Sequence, residues 1–255
     1  MSEPHVEVIR RGPVAFVTLK RATKRNALAK RTVREITAAL EEASFDQKVR
    51  GVVLAAEGDV FMAGGDLGEF ETILDDPRGA AHVIEMGRAL ACIEACDVPV
   101  IAAVSGDVFG GGCEVVLLCD VVLAERHAGL SFRHVPMGLT TAWGGAARLL
   151  ERVGPLHATR LVLTGDRIGA EEAERIGLVT RVVDAGRGAA EAELFVERVA
   201  RHDRAVVAAN KRALRDARAR RREGLAEIEG AAFSALWGGP AHRAAMSRRP
   251  GSKRS

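Results

Sequence analysis

The segment from Ser105 to Glu114 has the residue types needed to stabilise a negatively charged oxygen and to move a proton. An apolar run at 100–104 leads into it, and three consecutive glycines at 110–112 precede the carboxylate of Glu114. Glycine adopts positive φ angles readily and lets another group approach the main chain closely. The first N–H groups of a following helix have no partner within that helix, so they can bind an anion. This segment therefore predicts anion stabilisation next to an acid or base.

A second glycine-containing loop follows another apolar run. Val52–Ala55 reads as a short buried strand, and the loop Phe61–Leu67 after it contains Gly64 and Gly65. If the two strands are neighbours in a sheet, both loops leave the same edge, and each could offer one N–H group to a single oxygen. Paired donors stabilise a thioester enolate or a tetrahedral oxyanion, and losing one donor costs on the order of 3 kcal/mol of transition-state stabilisation. Either loop alone is a weak signal, and the ordered pair is a stronger one.

Two common glycine-rich phosphate sites do not fit the opening segment. Gly106 and the glycines at 110–112 lack the G-x-G-x-x-G spacing of dinucleotide-binding folds, and they come too late in the chain for a first βαβ unit. A phosphate-binding loop is excluded because no Gly-Lys-Ser/Thr sequence follows these glycines.

The elements that must position the loops follow from hydrophobic periodicity. Alternating apolar residues predict strands, and apolar residues three to four apart predict helices. Strands are predicted at Val6–Ile9, Val14–Leu19, Val52–Ala55, Val100–Val104 and Val121–Ala124, and helices at 32–45, 80–96 and 111–118. Strands that alternate with helices at this spacing indicate βαβ units with right-handed crossovers.

The pattern changes after about Asp184. Three helices are predicted without strands between them, at Ala189–Arg201, Ala205–Arg220 and Glu223–Trp237, and a short polar tail follows Pro240. No internal repeat or low-complexity linker separates this part from the rest. We therefore expect one continuous unit, an α/β core with a helical C-terminal part.

Composition and charge limit the classes of function. A chain of 255 residues with 47% hydrophobic residues can bury a full core, and a net charge of +3 is too small to indicate nucleic-acid binding by itself. Basic residues cluster at Arg212–Arg222 and Arg243–Arg254, which we interpret as solvated helix faces and a loose basic tail rather than an anion site.

The polar N-terminus and the lack of a roughly 20-residue apolar run predict a soluble, cytoplasmic protein without a membrane partner. The cysteines show no metal-site pairing and are expected as buried thiols: Cys92, Cys96, Cys113 and Cys119.

Several motifs, in one order along the chain, resemble the crotonase (enoyl-CoA hydratase/isomerase) superfamily. They include both glycine loops, the segment Lys24–Leu28, the pair Cys119-Asp120, and the pair Gly144-Gly145 before Arg148. The resemblance extends from about Val6 to Met246, with further matches at Leu163–Gly165, Ala170–Ala173 and Gly177–Val179.

This resemblance implies an α/β fold, a crotonase-like spiral of ββα turns with a C-terminal helical trimerisation region. We expect residues 1–188 to form the spiral core with the acyl-CoA site, and residues 189–255 to form the helical region with its basic tail. A homotrimer or a dimer of trimers is implied, with an acyl-CoA thioester as substrate. No metal or separate cofactor is expected, because coenzyme A is part of the substrate.

The resemblance also implies which residues form the site. The N–H groups of Gly65 and Gly111 would form the oxyanion hole, and Glu114 would be a catalytic acid or base. The groove for the adenine and pantetheine parts of coenzyme A would use Arg25, Ala27, Ala63, Asp66 and Leu67. Asp66 could equally cap the helix that begins there, so both roles stay open.

One position departs from the pattern of typical hydratases in this superfamily, which carry two glutamates that share a water. Glu114 matches the first glutamate, but His134 stands where the second is expected. Hydration needs an activated water and a proton at the α carbon, usually supplied by two carboxyl groups with tuned pKa values. His134 could act as an acid or base near neutral pH instead.

Two stretches, Phe132–Gly145 and Trp237–Ala241, are similar to the ethylmalonyl-CoA/methylmalonyl-CoA decarboxylase branch. The similarity implies loss of CO₂ from a short 2-carboxyacyl-CoA, and it places Trp143 in a loop over the acyl group. A cationic His134 would hold the carboxylate or return the proton. Whether Glu114 is protonated by burial or repels the substrate's carboxylate stays open.

Two other functions compete with this expectation of decarboxylation. The first is an enoyl-CoA hydratase or isomerase of fatty-acid-type metabolism that uses Glu114 with an unusual partner. The second is RNA binding, which some crotonase-fold proteins show and which the Arg-rich stretch 212–222 could support. The intact oxyanion loops argue against nucleic acid as a partner, since a binding module has no use for them.

Overall fold

Long apolar strands alternate with short strands and helices, so that the chain winds into a spiral of ββα turns. The computed structural model describes residues 3–248. In this part of the chain the strands are β1 (Val6–Arg11), β2 (Val14–Leu19), β3 (Gly51–Ala56), β4 (Val60–Met62), β5 (Val100–Val104), β6 (Asp107–Phe109), β7 (Val121–Glu125), β8 (Gly129–Ser131), β9 (Ile168–Gly169) and β10 (Arg181–Val183). The helices are α1 (Lys30–Phe45), α2 (Leu67–Thr72), α3 (Gly79–Leu90), α4 (Cys92–Ala95), α5 (Gly111–Leu118), α6 (Gly145–Thr164), α7 (Ala170–Arg175), α8 (Gly188–Val199), α9 (Arg204–Arg221), α10 (Leu225–Leu236) and α11 (Pro240–Ser247), with 3₁₀ turns at Ala22–Lys24 and Val135–Met137.

Two sheets carry the strands. The larger sheet has the order β1-β2-β3-β5-β7-β10, and the smaller sheet has the order β4-β6-β8-β9. The larger sheet is parallel except for β1, which pairs antiparallel with β2. Its central strands are almost wholly apolar and buried, as parallel strands covered on both faces must be. The α/β spiral implied by the sequence is confirmed.

Each turn of the spiral has the same order of elements. A long strand of the larger sheet is followed by a short strand of the smaller sheet and then by helix, as in β3-β4-α2, β5-β6-α5 and β7-β8-α6. The strands β4, β6 and β8 lie side by side in parallel. The segments that leave them therefore emerge at one edge of the smaller sheet.

Residues of the larger sheet alternate between two cores, as the period of a strand requires. On one face Val53 and Ile101 pack against Val196 of α8. On the other face Val52 and Val100 join the main core, which the smaller sheet and the remaining helices complete. This double cover holds the strands that carry the two glycine loops.

Two predicted elements differ from the observed ones. The helix predicted at 80–96 is interrupted at Ala91, whose amide is shared between the carbonyl groups of Gly87 and Arg88, a tightened turn that separates α3 from α4. The polar tail predicted after Pro240 is a helix as far as Ser247, because proline suits the first turn of a helix and one face of α11 is buried. The rest of the predicted basic tail, 249–255, lies outside the described residues.

The basic residues of α9 fit the predicted solvated face only in part. Arg212, Arg220 and Arg221 are exposed, as predicted. Several basic side chains of the helix also form ion pairs with other elements: Lys211 with Asp120, Arg212 with Asp97, Arg218 with Glu151, and Arg222 with Glu94. Arg218 and Arg222 are less exposed than predicted because one face of α9 packs against α4.

All four cysteines are free; Cys92 is half-buried and the other three are buried. Burial raises the pKa of the Cys92 thiol to about 12. Within residues 3–248, no helix combines the length and apolar composition that a bilayer span would need.

Candidate active site

The two glycine loops meet at one point, as their parallel strands require. Met62 of β4 pairs with Val108 of β6, so the residues that follow each strand emerge side by side. A Cβ atom built on Gly64 would lie 3.1 Å from the amide nitrogen of Gly111 and 2.9 Å from the carbonyl oxygen of Phe109. Gly64 also has a φ of 90°, so both its backbone and its surroundings require glycine.

Gly65 and Gly111, whose N–H groups are the predicted pair of donors, lie at the same cavity. Gly111 is the first residue of α5, where an N–H group has no acceptor within the helix. Around Gly65 the backbone bonds come from its neighbours: Leu28 donates to the Gly64 carbonyl at 2.7 Å, and Asp66 donates to the Leu28 carbonyl at 3.0 Å. Both glycines line a cavity of about 470 Å³. Two such donors have the composition of an oxyanion hole.

The cavity brings together most of the residues predicted from the sequence: Arg25, Ala63, Gly65, Leu67, Gly111, Glu114, His134 and Trp143. The described cavity walls do not include Ala27 or Asp66. The Asp66 carboxylate caps α2, where it accepts the N–H groups of Gly68 and Glu69 at 3.0 and 3.2 Å, and it pairs with Arg21 at 2.9 Å. Of its two predicted roles, the cap is the one that these contacts show.

Glu114 is held in the cavity wall largely by backbone amides. The residue is 2% exposed, and its Oε2 accepts the N–H groups of Trp143 at 2.8 Å and of Gly145 at 3.0 Å. A Cβ atom at position 145 would lie 2.5 Å from Oε2, so only glycine leaves room for the carboxylate. Glycine thus lets the N-terminus of α6, which favours negative charge, reach Glu114.

His134 lies beside Glu114. It follows β8 and begins the 3₁₀ turn Val135–Met137, and its Nε2 is 3.0 Å from Oε1 of Glu114. Its Nδ1 is buried and has no hydrogen-bond partner among the residues that the structure describes. A hydrogen-bonded imidazole and carboxylate can hold and pass one proton, so the pair has the composition of an acid–base unit.

Trp143 fills the space between two helices and supports the oxyanion wall. A Cβ atom on Gly87 would lie 2.2 Å from its Cδ1, and one on Gly111 would lie 2.5 Å from its Cζ3. Its Nε1–H donates to the carbonyl of Val83 at 2.7 Å. The indole therefore packs closely against Gly111, and its position over an acyl group stays a prediction.

Arg25 lies at the edge of the cavity. Its guanidinium stands 5.2 Å from the ring centroid of Phe109, a cation–π distance, and its carbonyl accepts the N–H group of Ala63 at 3.0 Å. The Arg25 backbone has a φ of 52°, and so does its neighbour Asn26. The buried Asn26 side chain bonds one backbone group of its own turn and two of the segment 57–60, which leads from β3 into β4, so it fixes the turn that presents Arg25.

Sequence reasoning missed the part of the cavity wall that comes from the C-terminal helices. Phe233 of α10 and His242 of α11 line the cavity, and Trp237 packs on both rings at 5.6 and 4.8 Å. The signal for this wall was Pro240, which marks a helix start rather than a tail. Within residues 3–248 no group of three or more His, Cys, Asp or Glu side chains is arranged to hold a metal ion.

Comparison with known proteins agrees with this fold. The family profile "Enoyl-CoA hydratase/isomerase" matches residues 10–240. The chain is 33% identical to a 2,3-dehydroadipyl-CoA hydratase of Escherichia coli, over 82% of this chain and 80% of that protein. It is 37% identical to a short-chain-enoyl-CoA hydratase of Clostridium acetobutylicum, over 68% of this chain and 66% of that protein. A crystal structure of an enoyl-CoA hydratase/isomerase from Mycobacterium paratuberculosis matches with a TM-score of 0.89 and 27% identity, over 97% of this chain and 99% of that one.

The fold and the relatives together define an enzyme of the enoyl-CoA hydratase/isomerase type. The chain belongs to the enoyl-CoA hydratase/isomerase family, the crotonase superfamily predicted from its motifs. The relatives are named as hydratases, so the comparisons favour the hydratase alternative over decarboxylation.

Proposed function

We propose that this enzyme catalyses the reversible addition of water to the double bond of a 2-enoyl-CoA thioester. The observation that carries the proposal is the 3.0 Å contact between Nε2 of His134 and Oε1 of Glu114, in a cavity that also contains the N–H groups of Gly65 and Gly111. Hydration needs proton transfer and stabilisation of an enolate oxygen. The Glu114–His134 pair would supply the first, and the two N–H donors would supply the second.

The reaction balances with one water and no other reactant. The Glu114–His134 pair takes a proton from the water while the oxygen of that water bonds to C3 of the thioester. The electrons of the double bond move to the thioester oxygen, where the Gly65 and Gly111 N–H groups stabilise the enolate. The pair then returns the proton to C2, the thioester carbonyl re-forms, and the site is ready for the next substrate.

The hydrogen bonds of Glu114 leave room for the reacting water. Oε2 is occupied by the amides of Trp143 and Gly145, whereas Oε1 has one short contact, with His134, and a long one of 3.4 Å from the amide of Ala142. A carboxylate oxygen accepts about two hydrogen bonds, so a water can take the place of the long contact from Ala142 on Oε1.

Decarboxylation of a short 2-carboxyacyl-CoA, such as ethylmalonyl- or methylmalonyl-CoA, is a second candidate. Apart from Glu114, the charged side chains that line the described cavity are the arginines Arg25, Arg133 and Arg248. A cavity with this excess of cations favours a substrate that carries an additional carboxylate. His134, which stands where a second glutamate is expected, would further reduce the repulsion of the substrate's carboxylate.

Mass spectrometry of the products separates the two candidates. Crotonyl-CoA incubated with the enzyme should gain one water, and methylmalonyl-CoA should be recovered without loss of CO₂. Release of CO₂ without hydration of any 2-enoyl-CoA would contradict the proposal and favour the second candidate.

RNA binding rested on the Arg-rich stretch 212–222. That support is weaker because Arg212, Arg218 and Arg222 are engaged in ion pairs.

The assembly and the groove for coenzyme A stay predictions. Large apolar side chains are exposed on the C-terminal half of the chain, among them Leu156, Leu214 and Ile228, and such side chains are frequent where subunits pack. They support the proposed homotrimer or dimer of trimers, which light scattering after size-exclusion chromatography would test. The division at residue 188, the contacts of Arg25 with coenzyme A and a cytoplasmic location are likewise proposals.

A further inference from the structure

A second buried carboxylate binds the turn that holds Glu114. Glu229 lies on α10 and is 8% exposed. Its Oε1 accepts the N–H groups of Gly144 at 2.7 Å and Gly145 at 3.0 Å, and its Oε2 accepts that of Ala146 at 3.1 Å. One side chain of the C-terminal region thus binds three consecutive amides at the start of α6.

The helix α6 needs this distant carboxylate because its own first residues cannot cap it. Gly144, at the N-cap position with a φ of 76°, has no side chain that could accept a hydrogen bond. Buried N–H groups in the first turn of a helix need acceptors from elsewhere, and a negative charge there is stabilised by the helix dipole. This gives a physical reason for a glutamate on the buried face of α10, next to Gly230 and one turn from Phe233.

One N–H group links the two carboxylates. The amide nitrogen of Gly145 lies 3.0 Å from Oε2 of Glu114 and 3.0 Å from Oε1 of Glu229. Any displacement of the amides at 144–146 therefore moves a donor of Glu114. Burial, and then the charge of Glu114, raise the pKa of Glu229 above its ordinary value, so the two side chains are also coupled electrostatically.

We propose that Glu229 is a positioning residue for the Glu114–His134 pair. It fixes the amides at 144–146, so that Oε2 of Glu114 is anchored and Oε1 is presented to His134. Glu229 is not among the described residues that line the cavity, so it acts through Glu114 and does not touch the substrate. The catalytic readout of this proposal rests on the proposed hydration.

The substitution Glu229→Gln tests the role, because it keeps the size of the side chain but replaces one acceptor oxygen by an NH₂ group. We expect kcat for crotonyl-CoA to fall on the order of 10- to 100-fold, the range seen when a group that orients a reacting residue is removed. KM should change less than about twofold, since the groups that bind substrate are untouched. Glu229→Asp, which restores the carboxylate at a shorter reach, should recover part of kcat.

A spectroscopic readout tests the same role without any turnover. In protein labelled with ¹⁵N-histidine, the ring signals of His134 can be assigned by their absence in His134→Gln. We expect Glu229→Gln and Glu229→Asp to shift these signals, because the Glu114 contact is altered. Glu227→Gln is the matched control: Glu227 is exposed on the same helix, and both kcat and the His134 signals should match the wild type.

A folded Glu229→Gln protein with wild-type kcat and unchanged His134 signals would overturn the proposal. Loss of kcat with unchanged His134 signals would overturn it too, because Glu229 would then act by another route. If Glu229→Gln does not fold, Glu229→Asp decides by the same criteria. A wild type that hydrates no 2-enoyl-CoA would refute the proposed function, while the His134 signals would still decide the positioning role.

Discussion

Two regions beside the start of α6 bury carboxylates in different ways. In one, Glu94 of α4 pairs with two guanidinium groups, at 2.8 Å from Arg148 and 2.5 Å from Arg222. In the other, Glu114 and Glu229 accept backbone N–H groups from the segment 143–146. The regions share the turn itself, since Arg148 also donates to its carbonyl groups.

The difference concerns which carboxylates can still exchange a proton. Burial alone would raise the pKa of Glu94, but Arg148 and Arg222 outweigh it and hold that pKa below its ordinary value. Amides satisfy a carboxylate without a full positive charge, and the pKa of Glu229 is raised by burial and by Glu114. The arginine-paired region therefore holds its carboxylate in the charged form, whereas the amide-paired region contains a carboxylate, Glu229, with a raised pKa.

The largest effect that this comparison predicts is on the rate after Glu114→Gln. Glutamine can still accept the two amides of the turn but cannot carry a proton between water and substrate. We expect hydration of crotonyl-CoA to slow on the order of 10²- to 10⁴-fold, the usual contribution of a general acid–base group. Stability in urea should change by about 1–2 kcal/mol or less. A variant that hydrates at the wild-type rate would remove the distinction between the regions.

Glu94→Gln should show the opposite pattern, with a loss of stability and little loss of rate. Removing the charge leaves Arg148 without a counter-ion and Arg222 with only the longer 3.6 Å contact to Glu151, and breaking a buried pair costs about 3–5 kcal/mol in comparable cases. Urea denaturation gives the value, and kcat of the folded fraction should stay within about tenfold of the wild type, because Arg148 still contacts the turn. Glu85→Gln, in an exposed pair with Arg78, should cost only about 0–1 kcal/mol.

The smallest effect is on how stability depends on pH, and its sign differs between the regions. Glu229 has a raised pKa, so the folded protein binds more protons than the unfolded one above the ordinary value of 4.5, and its contribution to stability is lost as pH rises through that window. Glu94 has a lowered pKa, so its contribution is lost as pH falls below that value. Denaturation at several pH values should show that Glu229→Gln removes the first trend and Glu94→Gln the second. Equal trends in both variants would contradict the comparison.

Much of the fold could be predicted from local pattern. A short continuous apolar run bounded by turn residues, such as Val100–Val104, is typical of a buried parallel strand, and the glycines after it indicate a loop with special backbone geometry. The short strands β4, β6 and β8 could not be predicted, because three residues show no period. Helix α11 was missed because its buried face depends on contacts with the 3₁₀ turn after His134, which lies far away in sequence.

In the candidate site, too, some residues could be predicted from local pattern and others could not. Gly65, Gly111 and Glu114 lie in the segments that follow β3 and β5, two strands that the pattern identifies, so their convergence could be predicted. The role of Glu229 could not, because it depends on a contact across more than eighty residues with amides that carry no sequence signal. The one available indication was a carboxylate one turn before Phe233, on the buried face of α10.

The central claim is that Glu114 and His134 act as one acid–base unit, and a double-mutant cycle on kcat tests it most directly. Hydration of crotonyl-CoA would be measured for the wild type, Glu114→Gln, His134→Gln and the double variant. Residues that act as a unit give strongly non-additive losses, so the double variant should be no more than a few-fold slower than the slower single variant. A double variant whose loss equals the product of the two single losses would contradict the account.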